Sequence, residues 1–390
     1  MNAPVYLDHA SVWPLRPEAR RAMDDARDLE LGDPERAHGP GRRAHDLIDS
    51  ASRSAASDVG APADGIVWTS GGTEAVHLAV LGTARAAAIT GDTRRHVVVS
   101  AVEHSSVLRA AQRLRNEHGF ELDVVGVDGA GVVDANDVAR VVRSDTLAIH
   151  IQHANHEVGA IQPTFEIGQL AREAGALFHV DACQSVGQVG VTLDQLGADA
   201  ISVSAAKFGG PPGAGFLAMR PATRIAPLLE GDQRQMSRRA GLIDPVVIAG
   251  SAVALRIAVE RQGAEHRHRE VLRRTLREAL ITAVDDVQIH GPLADAHPGI
   301  VAASALYVDG AALVSRLDDA GFSVHSGSSC ASTSGEPSHV LAAMGSLTHG
   351  HIRVSIGPDT SDRDIHAFAD AYATVVSDLR QFARRPKSPQ

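Results

Sequence analysis

Cysteine is nearly absent from this chain: Cys183 and Cys330 are the only two among 390 residues. No disulfide framework is available, and a reducing, cytoplasmic setting fits. No apolar run reaches the roughly 18 residues of a membrane span, and the first residues lack the basic-then-apolar order of a secretion signal. The expectation is a cytoplasmic protein with no membrane contact. Basic charge is also short, with 37 Lys and Arg against 47 Asp and Glu and a net charge of −10. A surface of that sign does not bind nucleic acid directly. The one basic concentration, around Arg384, Arg385 and Lys387, is broken by proline and reads as a flexible tail, 379–390. The G-x-G-x-x-G fingerprint is missing, which weakens a nicotinamide reading. No short-period repeat and no metal site is expected.

What is there is an alternation. The length exceeds what one core usually holds, so one large and one smaller domain are expected. Through residue 220, short apolar runs bounded by Gly and Pro alternate with helical patterns. That order predicts an α/β fold with a mainly parallel sheet and helices on both faces. A long helical pattern covers 251–278, and further strands and helices follow it.

Chemistry-bearing residues fall where strands end. Asp181 stands at the carboxyl end of the strand LFHVD, and Lys207 follows AISVSA. In open α/β sheets the carboxyl edge is where ligands bind. Either residue alone could be a cap or a solvated charge. Together they suit pyridoxal phosphate, which needs an amine for a Schiff base and a carboxylate to keep its pyridine nitrogen protonated. Ser70-Gly71-Gly72-Thr73-Glu74 joins a strand to an amphipathic helix. Free N–H groups and a hydroxyl at a helix start favour a phosphate, although a plain N-cap explains the turn as well. His104 sits between a strand and a helix; it is either structural or an acid–base group titrating near neutral pH. Arg353 could grip a carboxylate through two parallel hydrogen bonds or form a surface salt bridge. Cys330 lies in a Ser/Thr/Gly-rich stretch without periodicity, which predicts an exposed, mobile loop and an available thiol.

The segments HVDACQ (179–184), SVSAAKFGGPPGAG (202–215), SGGTEA (70–75) and SAVEH (100–104) resemble those of the class V aminotransferases. The loop ending in Cys330, followed by PSHVL (337–341), resembles the cysteine desulfurases of the NifS/IscS-type group within that family. The resemblance implies a type I pyridoxal-phosphate fold. Its large domain would span 16–255, and its small domain 1–15 and 256–378, carrying the cysteine loop. It implies a homodimer with pyridoxal phosphate on Lys207, Asp181 at the ring nitrogen and His104 against the ring. Gly72, Thr73, Ser204 and Gln184 would hold the phosphate. Asn155 would meet the ring oxygen or the substrate carboxylate, Glu157 would hold its loop, and Arg353 would clamp the carboxylate. The activity implied is conversion of L-cysteine to L-alanine, with a persulfide left on Cys330 for a sulfur-acceptor protein. A selenocysteine lyase, another class V lyase or aminotransferase, and a cofactor-binding partner without activity share most of these residues.

Three departures from the family pattern stand out. The turn His9-Ala10-Ser11-Val12-Trp13-Pro14 lacks the family's two threonines, and its Trp13 reads as packing. In the loop that resembles the family's reach to a neighbouring subunit, Gln233 and Arg239 persist, but Leu242 stands where the family has threonine. Ala206 replaces the usual histidine before the lysine.

Overall fold

The computed structural model describes residues 4–326 and 337–384. Its main sheet has seven strands: β2 (Ile66–Thr69), β3 (His96–Ser100), β4 (Glu121–Val125), β5 (Thr146–Gln152), β6 (Leu177–Asp181), β7 (Ala200–Ser204) and β8 (Gly215–Met219), after a short β1 (Val5–Tyr6) near the N-terminus. Their order is β2-β8-β7-β6-β5-β3-β4. Strands β3, β5 and β8 are buried at every position, as expected where helices cover both faces of a sheet. At one edge β4 exposes Glu121 and Val124. At the other, the Trp68 N–H of β2 donates to Gln235 Oε1 at 2.9 Å.

The sheet is parallel from β4 through β7, but β8 runs antiparallel to both of its neighbours. The reason is the connection. Between β7 and β8 lie only the Lys207 turn and the run Gly209-Gly210-Pro211-Pro212-Gly213, too short for the crossover that a parallel partner requires.

The long helix runs from Pro245 to Ala283, wider at both ends than the 251–278 pattern. It begins early because Asp244 caps it, its side chain accepting from Val246 N, and Pro245 occupies the first turn. Its first half buries Ile248, Ala252 and Leu255 in the core of the main sheet. Its second half buries Leu272, Leu276 and Leu280 in a separate core. That second core rests on an antiparallel sheet ordered β12 (His351–Ser355), β10 (Ile300–Ala305), β9 (Val287–His290). The N-terminal strand β1 joins it, pairing in parallel with β11 (Phe322–Ser323), and Asp8 bridges to Ser355. Residues 5–8 therefore lie against the second core, in a separate two-stranded sheet bridged to β12 at Asp8, while Trp13 and Arg16 reach back to the first sheet through backbone bonds to Ala206 and Gly209.

Candidate active site

A cavity of about 380 Å³ opens at the carboxyl ends of β5, β6 and β7 and is closed from the other side by β12 and the N-terminal turn. Each wall has a local cause. Asp181 ends β6, and its Oδ1 accepts from Cys183 N at 3.0 Å, which fixes the turn that follows. Lys207 comes from the short 3₁₀ turn Ala205–Lys207 after β7. The helix Gly72–Thr90 starts at the cavity, and its N-cap, Gly71, has φ of 152°, a region closed to side-chain-bearing residues. Gly72 is required sterically as well: a side chain there would stand 2.6 Å from Cys183 Sγ. Gly72, Thr73, Gln184 and Ser204 all line the cavity, beside helical N–H groups suited to an anion.

The Lys207 amine donates to Ala10 O and Ser11 O, both at 2.7 Å. Burial, reinforced by the positive charge of Arg353, lowers its pKa to about 8. Near neutral pH this amine has a reachable neutral form, which is what a nucleophile toward a carbonyl needs. His104 caps the helix Ser105–His118, its Nδ1 accepting from Ser106 N at 3.1 Å. Burial holds its pKa below the ordinary value. The neutral ring therefore carries its hydrogen on Nε2.

Arg353 is brought in by β12. Its Nη2 donates to Asp8 Oδ1 and to Ser11 Oγ, each at 2.7 Å, and its Nη1 donates to His156 O at 2.9 Å. Its Nε is buried without a hydrogen-bond partner. A guanidinium lining a polar cavity is suited to receiving an anion.

Lys207, Asp181, His104, Thr73, Gly72, Gln184, Ser204 and Arg353 thus surround one cavity. Asn155 does not join them, contrary to the sequence expectation. It is fully buried, its Oδ1 accepts from Glu157 N and Val158 N, and its Nδ2 donates to Val102 O. The amide is spent on folding its own loop, and the next residue, His156, faces the cavity instead, its ring 5.2 Å from that of His104. Glu157 holds the loop as expected: Ser338 Oγ donates to its Oε2 at 2.5 Å, and burial raises its pKa to about 7.

Trp13 is core, 4% exposed. Arg239 pairs with Glu74 at 3.0 Å, one residue from Thr73, whereas Leu242 is exposed. Cys330 lies outside the described residues. Sequence reasoning missed Asp8, Ser11, Cys183 and His325, all at or beside the cavity. For Asp8 the available signal was an acid at the end of a strand leading into a turn. Burial pushes the Cys183 thiol well above its ordinary pKa, so it is no thiolate. Among the described residues no cluster of side chains suited to a metal ion occurs, and no helix is long and apolar enough to cross a membrane.

Comparison with known proteins places the chain among enzymes of one kind. The family model "Aminotransferase class-V" matches residues 5–368. A protein of Dictyoglomus turgidum named cysteine desulfurase IscS is 37% identical over 383 residues, covering 97% of this chain and 96% of that protein. The solved structure of a NifS-like protein superposes with a TM-score of 0.89 at 28% identity, covering 96% of this chain and all of the other. A structure described as SspA in complex with cysteine superposes with a TM-score of 0.77 at 25% identity, covering 92% of this chain and 100% of that one. The shared fold is α/β with a mainly parallel central sheet, as read from the sequence.

Proposed function

This chain belongs to the class V aminotransferase family, and we propose that within it the protein is a pyridoxal-phosphate-dependent cysteine desulfurase. It converts L-cysteine to L-alanine and leaves the sulfur as a persulfide on Cys330 for a sulfur-acceptor protein. The observation that carries this reading is the meeting of Lys207, Asp181, His104 and Arg353 in one cavity, in a chain this similar over nearly its whole length to a protein named cysteine desulfurase.

The residues present fit the cofactor. A buried amine of lowered pKa and a carboxylate face the same cavity, and a glycine-started helix points its N-terminus there. Lys207 would hold the cofactor covalently, Asp181 would face its ring nitrogen, and Gly72, Thr73, Gln184 and Ser204 would take its phosphate. Once bound, pyridoxal phosphate supplies an electron sink for breaking bonds at the substrate Cα.

The remaining work is done by side chains. Arg353 takes the substrate carboxylate through the guanidinium that β12 brings to the cavity wall. The Lys207 amine takes the Cα proton; a pKa of about 8 keeps it effective near neutral pH. Protonated, it has Ala10 O and Ser11 O to rest against. Neutral His104 is placed to pass a proton to and from the substrate. The Cys330 thiolate attacks the substrate sulfur, so that an S–S bond forms as the C–S bond breaks, and protonation of the carbon product gives alanine.

The exposed apolar side chains Leu229, Met236 and Leu242 support a homodimer that buries this segment. Sedimentation of the purified protein tests it.

The activity is tested with purified protein, pyridoxal phosphate, L-cysteine and a thiol reductant, following sulfide and alanine beside Cys330→Ser. Equal amounts of both products from the wild type, and loss of sulfide release in the variant, are expected. A wild type that takes up the cofactor yet yields neither product overturns the reading.

A further inference from the structure

The peptide that carries Lys207 is gripped from behind by two backbone N–H groups and two side chains with no part in the chemistry above. Four successive carbonyls each receive a donor. Ala206 O accepts from Trp13 N and Gly209 O from Arg16 N, both at 2.9 Å. Lys207 O accepts from Gln188 Nε2 at 3.0 Å, and Phe208 O from Arg16 Nε at 2.8 Å.

The donors are themselves locked. Arg16 makes a two-pronged pair with Glu265 of the long helix, at 2.9 and 3.0 Å. The guanidinium groups of Arg16 and Arg269 both lie over the Trp13 ring, at 5.2 and 5.4 Å from its centre. Arg269 Nη1 in turn donates to Gln188 Oε1. Arg16 is 6% exposed and Arg269 is fully buried. Gly209 has φ of +86°, and a side chain there would stand 2.5 Å from Arg16 Cγ, so even the glycine is shaped to this arginine.

Burying two guanidiniums and one carboxylate is expensive, and apolar side chains of similar volume often serve stability as well or better. What apolar groups cannot provide is directed donors. One of them, Arg16 Nε, meets the backbone of residues 206–209 directly, and others hold Glu265 and Gln188, whose own amide donates to Lys207 O. The neighbouring Ala10 and Ser11 carbonyls receive the Lys207 amine itself.

We propose that Arg16 is a positioning residue for Lys207: with Trp13, Gln188, Glu265 and Arg269 it fixes the lysine backbone, so that the amine is presented to the cofactor carbonyl in one geometry. The inference rests on the reading of Lys207 as the cofactor-bearing lysine. It gives the N-terminal turn a task that its missing threonines left open, since Trp13 and Arg16 form part of the lysine's mounting.

The test follows cofactor capture, not turnover. Apoprotein is mixed with pyridoxal phosphate, and the growth of the visible band of lysine-bound cofactor is timed at several pH values. Three variants are compared: Arg16→Lys, which keeps the charge but loses the fork and the directed Nε–H; Gln188→Leu, which removes the donor to Lys207 O; and Leu276→Ala, a cavity in the second core that lowers stability away from this network. Arg16→Lys and Gln188→Leu are expected to slow band growth by about tenfold and to shift its pH midpoint, while Leu276→Ala keeps the wild-type rate at a lowered melting temperature. If Arg16→Lys does not fold, Gln188→Leu carries the comparison. Variants that capture the cofactor as fast as the wild type overturn the inference alone, as does a Leu276→Ala protein that is equally slowed. A wild type that forms no band overturns the pyridoxal reading and this inference with it.

Discussion

Asp8 and Arg353 form an ion pair at 2.7 Å, so the guanidinium proposed to take the substrate's carboxylate already has a carboxylate beside it. Both are largely shielded, the Arg353 side chain being 4% exposed and that of Asp8 18%. Asp8 holds Arg353 in place, and on the proposed reading it would compete with the substrate for that charge.

Asp8→Asn keeps an acceptor oxygen and removes the competing charge. The KM for L-cysteine is expected to fall about three- to tenfold, a change of about 1 kcal/mol, with kcat little altered. Steady-state kinetics check this, and a raised KM would show that orientation outweighs competition. Asp8 also holds the pKa of Lys207 up, so the variant's alkaline profile should move to lower pH.

Glu103, just before His104, is fully buried, and burial raises its pKa to about 8 against hydrogen bonds from Ser100 and the Gln152 N–H that favour ionisation. Below about pH 4.5 the carboxyl is protonated whether the chain is folded or not, and no penalty arises. Between there and pH 8 the unfolded chain ionises while the folded one keeps its proton, so stability falls as pH rises, by up to about 1.4 kcal/mol per unit. Glu103→Gln retains the acceptor and removes the titration. Its melting temperature should decline less than that of the wild type between pH 5 and pH 8, and parallel curves would refute the assignment.

Ser338 begins the helix His339–Ala343, accepting from Leu341 N while donating to Glu157 Oε2. Ser338→Ala removes the cap and strands a buried carboxyl oxygen. Losing both is expected to cost about 2 kcal/mol, measurable by denaturant unfolding. A change under about 0.5 kcal/mol, the range of ordinary surface substitutions, would mean that the contact is not maintained.

The groups legible in sequence were those set by local pattern. Asp181, Lys207, Thr73 and His104 follow short apolar strands, and strand–turn–helix punctuation places each at the sheet's carboxyl edge. Where the chain's ends meet its middle, pattern failed. Nothing near Asp8 announces Arg353, and nothing near Arg16 announces Glu265, since both pairs depend on tertiary docking. Asn155 was misjudged because its amide could equally serve a ligand or its own backbone, and the turn through Glu157 and Val158 took it. The reversed direction of β8 was implicit in the short Gly/Pro connection before it, and the expectation of a mainly parallel sheet leaves room for it. The carboxyl-end helix surface and the second core were visible only as amphipathic segments, with no sign of which faces would meet.

Asp8 and Arg353 stand 345 positions apart. At 5–20 residues per second, a ribosome makes the first roughly 20–70 s before the second. In the last part of that interval, once β8 is made, a nascent chain can already own the completed seven-stranded sheet, with Lys207 and Asp181 in place, yet lack the proposed carboxylate clamp. The order of synthesis thus separates two competences of the pocket: the half that would receive a cofactor is finished first, and the half that would recognise an amino acid arrives with the last described strand. A truncation before β12 should leave a protein able to acquire colour but blind to its substrate.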